Sequence, residues 1–339
     1  MTAGPILAIE TSCDETAAAV VEGRTIRSNV IASQAEIHTP YGGVVPEVAA
    51  RHHLGTVNGV IDEALARAGI ALDDVATIAV TQRPGLIGAL LVGVATAKAI
   101  AYAAGKPLVM VDHLHGHICA SWLDPVDLET PFVSLVASGG HTRLDLVHDY
   151  TAPRLLGQTR DDAAGEAVDK GARLLGLGYP GGPALERLAA TGDPRAFTFP
   201  VGLGGRTARD FSYAGVKTAL LYAVRDLGDD TQMHLADLAA SYQEAVMRPL
   251  AERLVDAALE HRVPAVALGG GVAANGRLRA LVADQAAAHG LRVAVPDRAL
   301  CTDNAAMIGA AAQFTPAIPW PDYLGYDAIA TVPPGGIAA

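Results

Sequence analysis

Residues 6–21 read ILAIETSCDETAAAVV, and their reading decides the fold. Ile6–Glu10 is a compact apolar run, residues 11–16 are polar, and Ala17–Val21 is apolar again. This pattern predicts strand, turn, strand. Residues 132–147, FVSLVASGGHTRLDLV, repeat the form: an apolar run, a turn of small polar residues over 137–142, and a returning strand over 143–147. Both turns close on threonine, Thr16 and Thr142. An internal echo of this kind points to two related lobes.

Outward from these hairpins, strand-like and helix-like segments alternate, as expected of an α/β protein. Helical spacing runs over 56–68 and stops at Gly69; a short apolar strand follows over 75–80. Another strand is predicted at 108–111. Residues 122–131 (WLDPVDLETP) are rich in acids and proline and mark the seam between lobes. Further helices are predicted over 158–175, 233–258 and 277–287, with a strand over 263–268. Residues 193–210 read as irregular. The proline-rich tail from Pro316 is expected to wrap a surface.

Composition narrows the classes. With 339 residues, 50% hydrophobic and 18% charged, the chain can bury a large core and is not expected to be disordered. Its three cysteines (Cys13, Cys119 and Cys301) form neither a disulfide framework nor a zinc ribbon, and suit a reducing cytosol. The opening MTAGPILAIE has no basic segment followed by a long apolar one, and reads as a first strand rather than a signal peptide. Residues 84–105 are apolar enough to span a membrane. Lys98 within them, and the dominance of Ala and Gly, predict a buried, close-packed helix instead.

Five constellations carry chemistry. In Asp112-His113-Leu114-His115-Gly116-His117, His113 and His117 share one helix face and can bind one metal. Leu114 stands where a zinc protease of the HExxH type needs its glutamate base. Two imidazoles need a third ligand. Asp303 is a candidate, although its place before an Ala-rich segment also fits a helix N-cap. In Ser138-Gly139-Gly140-His141-Thr142, a glycine pair leaves amides open to phosphate oxygens, or is an ordinary hairpin turn. Gly269-Gly270-Gly271 follows a strand and, through Asn275, precedes a helix; that order makes an anion or nucleotide site, though neither a dinucleotide fingerprint nor a P-loop. Glu10, Asp14 and Glu15 read as a cation-holding cluster or as a solvated turn. Asp162, Glu166 and Asp169 fall on one helical face, suited to ribose hydroxyls or to solvation. Together the turns predict a nucleotide cleft between two lobes.

At this point whole motifs match. ILAIETSCDETAAAVV, HTPYGGVVPEVAARHH, DHLHGH, LVASGGHT, DDAAGEAVDKGARLLGLGYPGGP, DFSYAGVKTA, GGGVAANGRLR and CTDNAAMIG resemble the TsaD family, formerly the Gcp or O-sialoglycoprotein endopeptidase family. The resemblance covers roughly residues 6–312, and SCDET is similar to the bacterial branch. It implies a two-lobed fold of the actin, Hsp70 and sugar-kinase (ASKHA) type, with a duplicated βββαβα core and a central cleft. Lobe I would be 1–124, completed by about 300–339, and lobe II 130–299. The implied activity is transfer of threonylcarbamoyl from threonylcarbamoyl-AMP to N6 of adenosine 37 in tRNAs reading codons that begin with A, with release of AMP. TsaB-like and TsaE-like subunits are the implied partners, one divalent metal (iron or zinc) the cofactor, and the cytoplasm the location, with no membrane.

Carried over by position, the implied metal ligands are His113, His117 and Asp303, with His115 a bystander. The implied substrate-binding residues are Val136, Ala137, Ser138, Gly139, Gly140, Asp169, Gly182 and Asn275. Asp14 is the expected auxiliary acid. The chain departs from the family pattern twice. Arg83 stands in Thr81-Gln82-Arg83-Pro84-Gly85 where glycine is usual, so that it is strained if the turn needs positive φ, or else meets a phosphate. Ala214 stands where serine is usual. A small-molecule kinase of the same superfamily and a metalloprotease are the rival readings. The net charge of −11 opposes broad binding to nucleic acid, and 21 of the 25 basic residues are arginine. The chain alone is therefore expected to bind tRNA weakly, through local arginines, with partner subunits completing the surface.

Overall fold

Ile6, Leu7, Ala8 and Ile9 are all fully buried, as are Ala18–Val21. Strands apolar on both faces must be covered on both faces. The computed structural model, which describes residues 4–203 and 209–331, shows how that is done. The chain forms two compact units: Met1–Thr130 with Asp149–Pro153 and Thr302–Ala339, and Pro131–His148 with Arg154–Cys301.

In the first unit, β1 (Ile6–Glu10), β2 (Glu15–Glu22), β3 (Thr25–Ser33), β4 (Thr77–Arg83) and β5 (Leu108–Asp112) form one sheet in the order β3-β2-β1-β4-β5. The first three strands pair antiparallel, and β4 and β5 join parallel to β1. The helices Pro46–Ala68 and Ile87–Ala104 supply Val57, Ile61, Val94 and Ala97 to a core with Leu7, Ile9, Ile78 and Val80. The helix Ala305–Ala312 packs on β1 and β2, where a Cβ on Gly309 would lie 2.7 Å from Val21. Only glycine permits that approach.

The second unit repeats the plan. Its strands β6 (Phe132–Ala137), β7 (Thr142–Val147), β8 (Arg154–Gln158), β9 (Ala265–Gly269) and β10 (Arg292–Ala294) lie in the order β10-β9-β6-β7-β8. Read from β8, this is the order of the first sheet, with the same antiparallel and parallel pairings. The helices Ala164–Leu174, Leu235–His261 and Gly276–Ala288 cover it. The duplicated α/β core is thus present, strand for strand.

Several elements differ from the sequence reading. The first long helix begins at Pro46, not at 56, because proline suits an opening turn, and it ends where Gly69 takes φ 69°. Residues 158–163 are not helical: Gln158 closes β8, and the helix starts at Ala164. Ile87–Ala104 is long and apolar enough to cross a membrane, the one such helix among the described residues. It is not wholly buried: Ala89, Leu90, Gly93, Val94, Ala97 and Ala101 face inward, whereas Ile87, Leu91 and Tyr102 are exposed. Asp149–Pro153 joins the first unit, since Tyr150 stacks on Phe314 at 4.9 Å and its hydroxyl donates to the Leu128 carbonyl at 2.8 Å. The tail runs along the first unit: Ile318 exchanges backbone bonds with Leu108, Ile329 N donates to the Gln82 carbonyl, and Tyr323 is fully buried.

Candidate active site

β5 ends at Asp112, whose carboxylate accepts from the backbone N–H groups of Leu114 and His115 and so starts the helix His113–Cys119. These two turns of helix put the His113 and His117 rings face to edge, with centroids 4.7 Å apart. Asp303 arrives from the first unit's last segment. Its Oδ1 lies 3.4 Å from His113 Nε2 and 3.2 Å from His117 Nε2. One donor atom from each of the three residues falls within 4.8 Å of the others. Asp303 is not the helix cap: Asn304 is, its side-chain oxygen accepting from Met307 N at 3.1 Å. The cap sits one residue later than the sequence suggests, and that leaves the Asp303 carboxylate for the histidines. His115 turns away and donates to the Tyr150 carbonyl.

The charges fit a cation. Burial favours a neutral His113 ring, but Asp303 and Glu10 hold its pKa well above the usual imidazole range. Burial would raise the Asp303 carboxyl, yet His113 and His117 hold it well below the usual range. Burial pushes His117 below the usual imidazole range, against the opposing pull of Asp303. Neither His117 nitrogen makes an aligned hydrogen bond among the described residues, although both are buried. Buried polar atoms nearly always have a partner. Two imidazoles and one carboxylate match the donor set of iron or zinc.

Of the acids in the first turn, Glu10 is fully buried, so the solvated-turn reading fails for it. Asp14 is half-buried, and among the described residues no hydrogen bond or ion pair joins it to the triad. Arg83 is not strained: it is absent from the positive-φ residues, and its guanidinium reaches Asp112 Oδ2 at 3.3 Å. It therefore braces the cap of the histidine helix. Nothing in the sequence marks that pairing.

In the second unit, β6 and β9 are parallel neighbours, with Val136 opposite Gly269. Their carboxyl ends bring Ala137 and the Ser138–Gly140 turn beside Gly270, where a Cβ would lie 2.3 Å from the Ala137 carbonyl oxygen. Carboxyl ends of parallel strands are where α/β sheets bind ligands. Gly139 and Gly140 are exposed, and a Cβ on either would meet nothing within 4 Å. Gly165 N donates to the Ser138 carbonyl, which seats the helix Ala164–Leu174 against the turn. Asp169 accepts from Gly181 N at 2.9 Å, beside Gly182. Asn275 caps the helix Gly276–Ala288 through Leu278 N and donates to Gln243 Oε1 at 3.0 Å. Gln243 and Glu186, which accepts from Gly276 N, escaped the sequence reading because nothing distinguishes them within their helices. Asp162 and Glu166 do not join Asp169: Asp162 pairs with Lys170 and Lys217, and Glu166 with Lys170. Ala214 opens a helix that has no side-chain cap.

Comparison with known proteins agrees with this arrangement. The family model described as TsaD, tRNA N6-adenosine threonylcarbamoyltransferase, matches residues 25–310. Proteins named tRNA N6-adenosine threonylcarbamoyltransferase from Cyanothece sp. and Moorella thermoacetica are 55% and 54% identical to the chain. Each alignment covers 91% of this chain and 90% or 91% of the relative. Among solved structures, HypF of T. kodakarensis superposes with a TM-score of 0.62 at 17% identity, over 92% of this chain and 47% of that one. Component A of the Acidaminococcus fermentans (R)-2-hydroxyglutaryl-CoA dehydratase gives 0.53 at 16%, over 92% and 98%. These last two show the fold alone, the ASKHA type. The chain belongs to the TsaD family of tRNA N6-adenosine threonylcarbamoyltransferases.

Proposed function

We propose that the chain transfers the threonylcarbamoyl group of threonylcarbamoyl-AMP to N6 of adenosine 37 in tRNAs reading codons that begin with A, and releases AMP. Family membership supports the reaction, and the buried convergence of His113, His117 and Asp303, with neither His117 nitrogen in an aligned hydrogen bond among the described residues, is the observation that carries its chemistry. The three side chains would hold one divalent cation, iron or zinc, which when bound supplies a Lewis acid for an oxyanion or phosphate oxygen.

The chain's own groups do the rest. The amine at N6 attacks the carbamoyl carbon, the bond from that carbon to the phosphate oxygen breaks, and AMP leaves with the electron pair. The N6 proton passes to water, and half-buried Asp14 is our assignment for the auxiliary acid beside the amine. The amides of the Ser138–Gly140 turn, with Val136 and Ala137 behind them, would donate to phosphate and carbamoyl oxygens. Asp169, with Gly182 beside it, would accept from ribose hydroxyls, and Asn275 would border the base. Since Asn275 already caps a helix, its part is to hold backbone in place. Leu114 offers no base beside the histidines, so nothing favours proteolysis.

tRNA binding would be shared with TsaB-like and TsaE-like subunits in the cytoplasm, in keeping with the −11 net charge. Exposed Leu54, Ile87 and Leu91 on two helices of the first unit leave apolar surface for a partner. The test is turnover of synthetic threonylcarbamoyl-AMP with tRNA, with and without those subunits. Stoichiometric AMP and N6-modified adenosine are expected; AMP release without modified tRNA under every condition would refute the reading.

A further inference from the structure

Glu10 is a fully buried carboxylate at the end of β1, in a place where a charge is costly. All its neighbours are donors. Oε1 accepts from Ser12 N–H, and Oε2 accepts from the Thr81 hydroxyl. The remaining neighbour is His113 Nδ1, 3.1 Å from Oε2. Ser12 Oγ lies at the same 3.1 Å from that nitrogen, so its hydroxyl is the rival partner.

The choice between them follows from charge. A lone pair on Nδ1 would face an anionic oxygen at hydrogen-bond distance and be repelled. A proton on Nδ1 satisfies the carboxylate and leaves Nε2, 3.4 Å from Asp303 Oδ1, as the ring nitrogen on the side of the triad. The strand end is also held rigidly. Thr11 Oγ1 donates to the Ala89 carbonyl at 2.9 Å, and a Cβ on Gly93 would sit 2.3 Å from that oxygen. Leu86 N donates to the Ser12 carbonyl at 2.8 Å, and a Cβ on Gly85 would sit 2.5 Å from it. The helix Ile87–Ala104 thus clamps residues 11 and 12, and the carboxylate of residue 10 has little freedom to move off the ring.

We propose that Glu10 is a positioning residue for the metal centre: its carboxylate accepts a hydrogen bond from His113 Nδ1–H, fixes the ring's tautomer and orientation, and so presents Nε2 to the cation. The inference rests on the metal reading above. Carboxylates placed behind a metal-bound imidazole raise its basicity as well as aligning it.

Zinc(II) titration of the full chain against a competing chelator tests it. Wild type should bind one equivalent. Glu10→Gln should bind zinc about tenfold to a hundredfold more weakly, while Ser12→Ala stays close to wild type. Nitrogen-15 NMR of the zinc-loaded wild type, with labelled histidine, should find the His113 proton on Nδ1 and zinc on Nε2. That spectrum needs no variant and tests the tautomer even where Glu10→Gln does not fold. Unchanged zinc affinity in folded Glu10→Gln, or zinc on Nδ1, would overturn the proposal and leave the metal reading standing. A wild type that binds no zinc or iron would overturn both.

Discussion

The two units lay five strands in one order, yet they arm the ends of those strands differently. At the end of β1 the first unit places buried side chains: Glu10 is fully buried, and Ser12 is held under Gly85. At the end of β6 the second unit places exposed backbone, with Gly139 and Gly140 open to solvent. β5 runs into a helix bearing three histidines, two of them facing Asp303, whereas β9 ends on Gly269 and runs into Gly270 and Gly271. The difference teaches that a duplicated scaffold divides its chemistry. On the function proposed above, the first copy would offer side-chain ligands for a cation, and the second amides and close approach for an anion.

The sharpest way to break this comparison is to remove the ligands. The double substitution His113→Ala and His117→Ala should abolish stoichiometric metal, measured by elemental analysis, and cut tRNA modification by at least ~100-fold, as removal of even a supporting partner can do. Folded protein of normal activity without metal would show that the first unit's side chains are scaffold.

In the second unit the equivalent blow falls on backbone. Gly270 has φ 84° and ψ 159°, a region essentially closed to other residues. Gly270→Ala adds a Cβ against the Ala137 carbonyl and should lower unfolding free energy by about 1–3 kcal/mol or more in urea titrations. Gly140→Ala has open space and should leave stability unchanged, while weakening AMP binding about tenfold, roughly the loss of one amide hydrogen bond to a charged group. Equal AMP affinity by calorimetry would mean that the turn does not approach the nucleotide.

How far each half could be read from the chain follows the same division. The hairpins at 6–21 and 132–147 were legible because strands buried on both faces make unbroken apolar runs. β3 and β8 were not, since half-exposed outer strands mix polar and apolar residues without clean alternation. His113 and His117 announce themselves by helical spacing. The role of Glu10 does not, because its partner lies 103 positions away and a charged strand end looks like a turn. Asp303 and Asn304 are both good caps by type. Only packing decides that Asn304 takes the helix and Asp303 the histidines.

Two smaller effects sharpen the picture of the first unit. Burial, opposed by the Ser33 hydrogen bond, pushes the Glu15 carboxyl up to about 7. Between the ordinary glutamate value and 7 the folded chain keeps a proton that the unfolded chain releases, so stability falls as pH rises through that window. Glu15→Gln should flatten this slope and gain on the order of 1 kcal/mol over wild type above pH 7, after allowance for partial exposure. Thermal melts of both proteins from acid to neutral pH check the sign. Asn304→Ala removes a cap and should cost about 1 kcal/mol. Its zinc affinity should fall too, because the cap fixes the backbone beside Asp303.

The central claim is that a cation held by His113, His117 and Asp303 serves threonylcarbamoyl transfer. Its most direct measurement is formation of N6-threonylcarbamoyladenosine from synthetic threonylcarbamoyl-AMP and tRNA. Chelator-stripped chain would be assayed with its partner subunits before and after one equivalent of iron(II) or zinc(II). The account predicts negligible product from the stripped protein and recovery on adding metal. Full product from the stripped protein would contradict it.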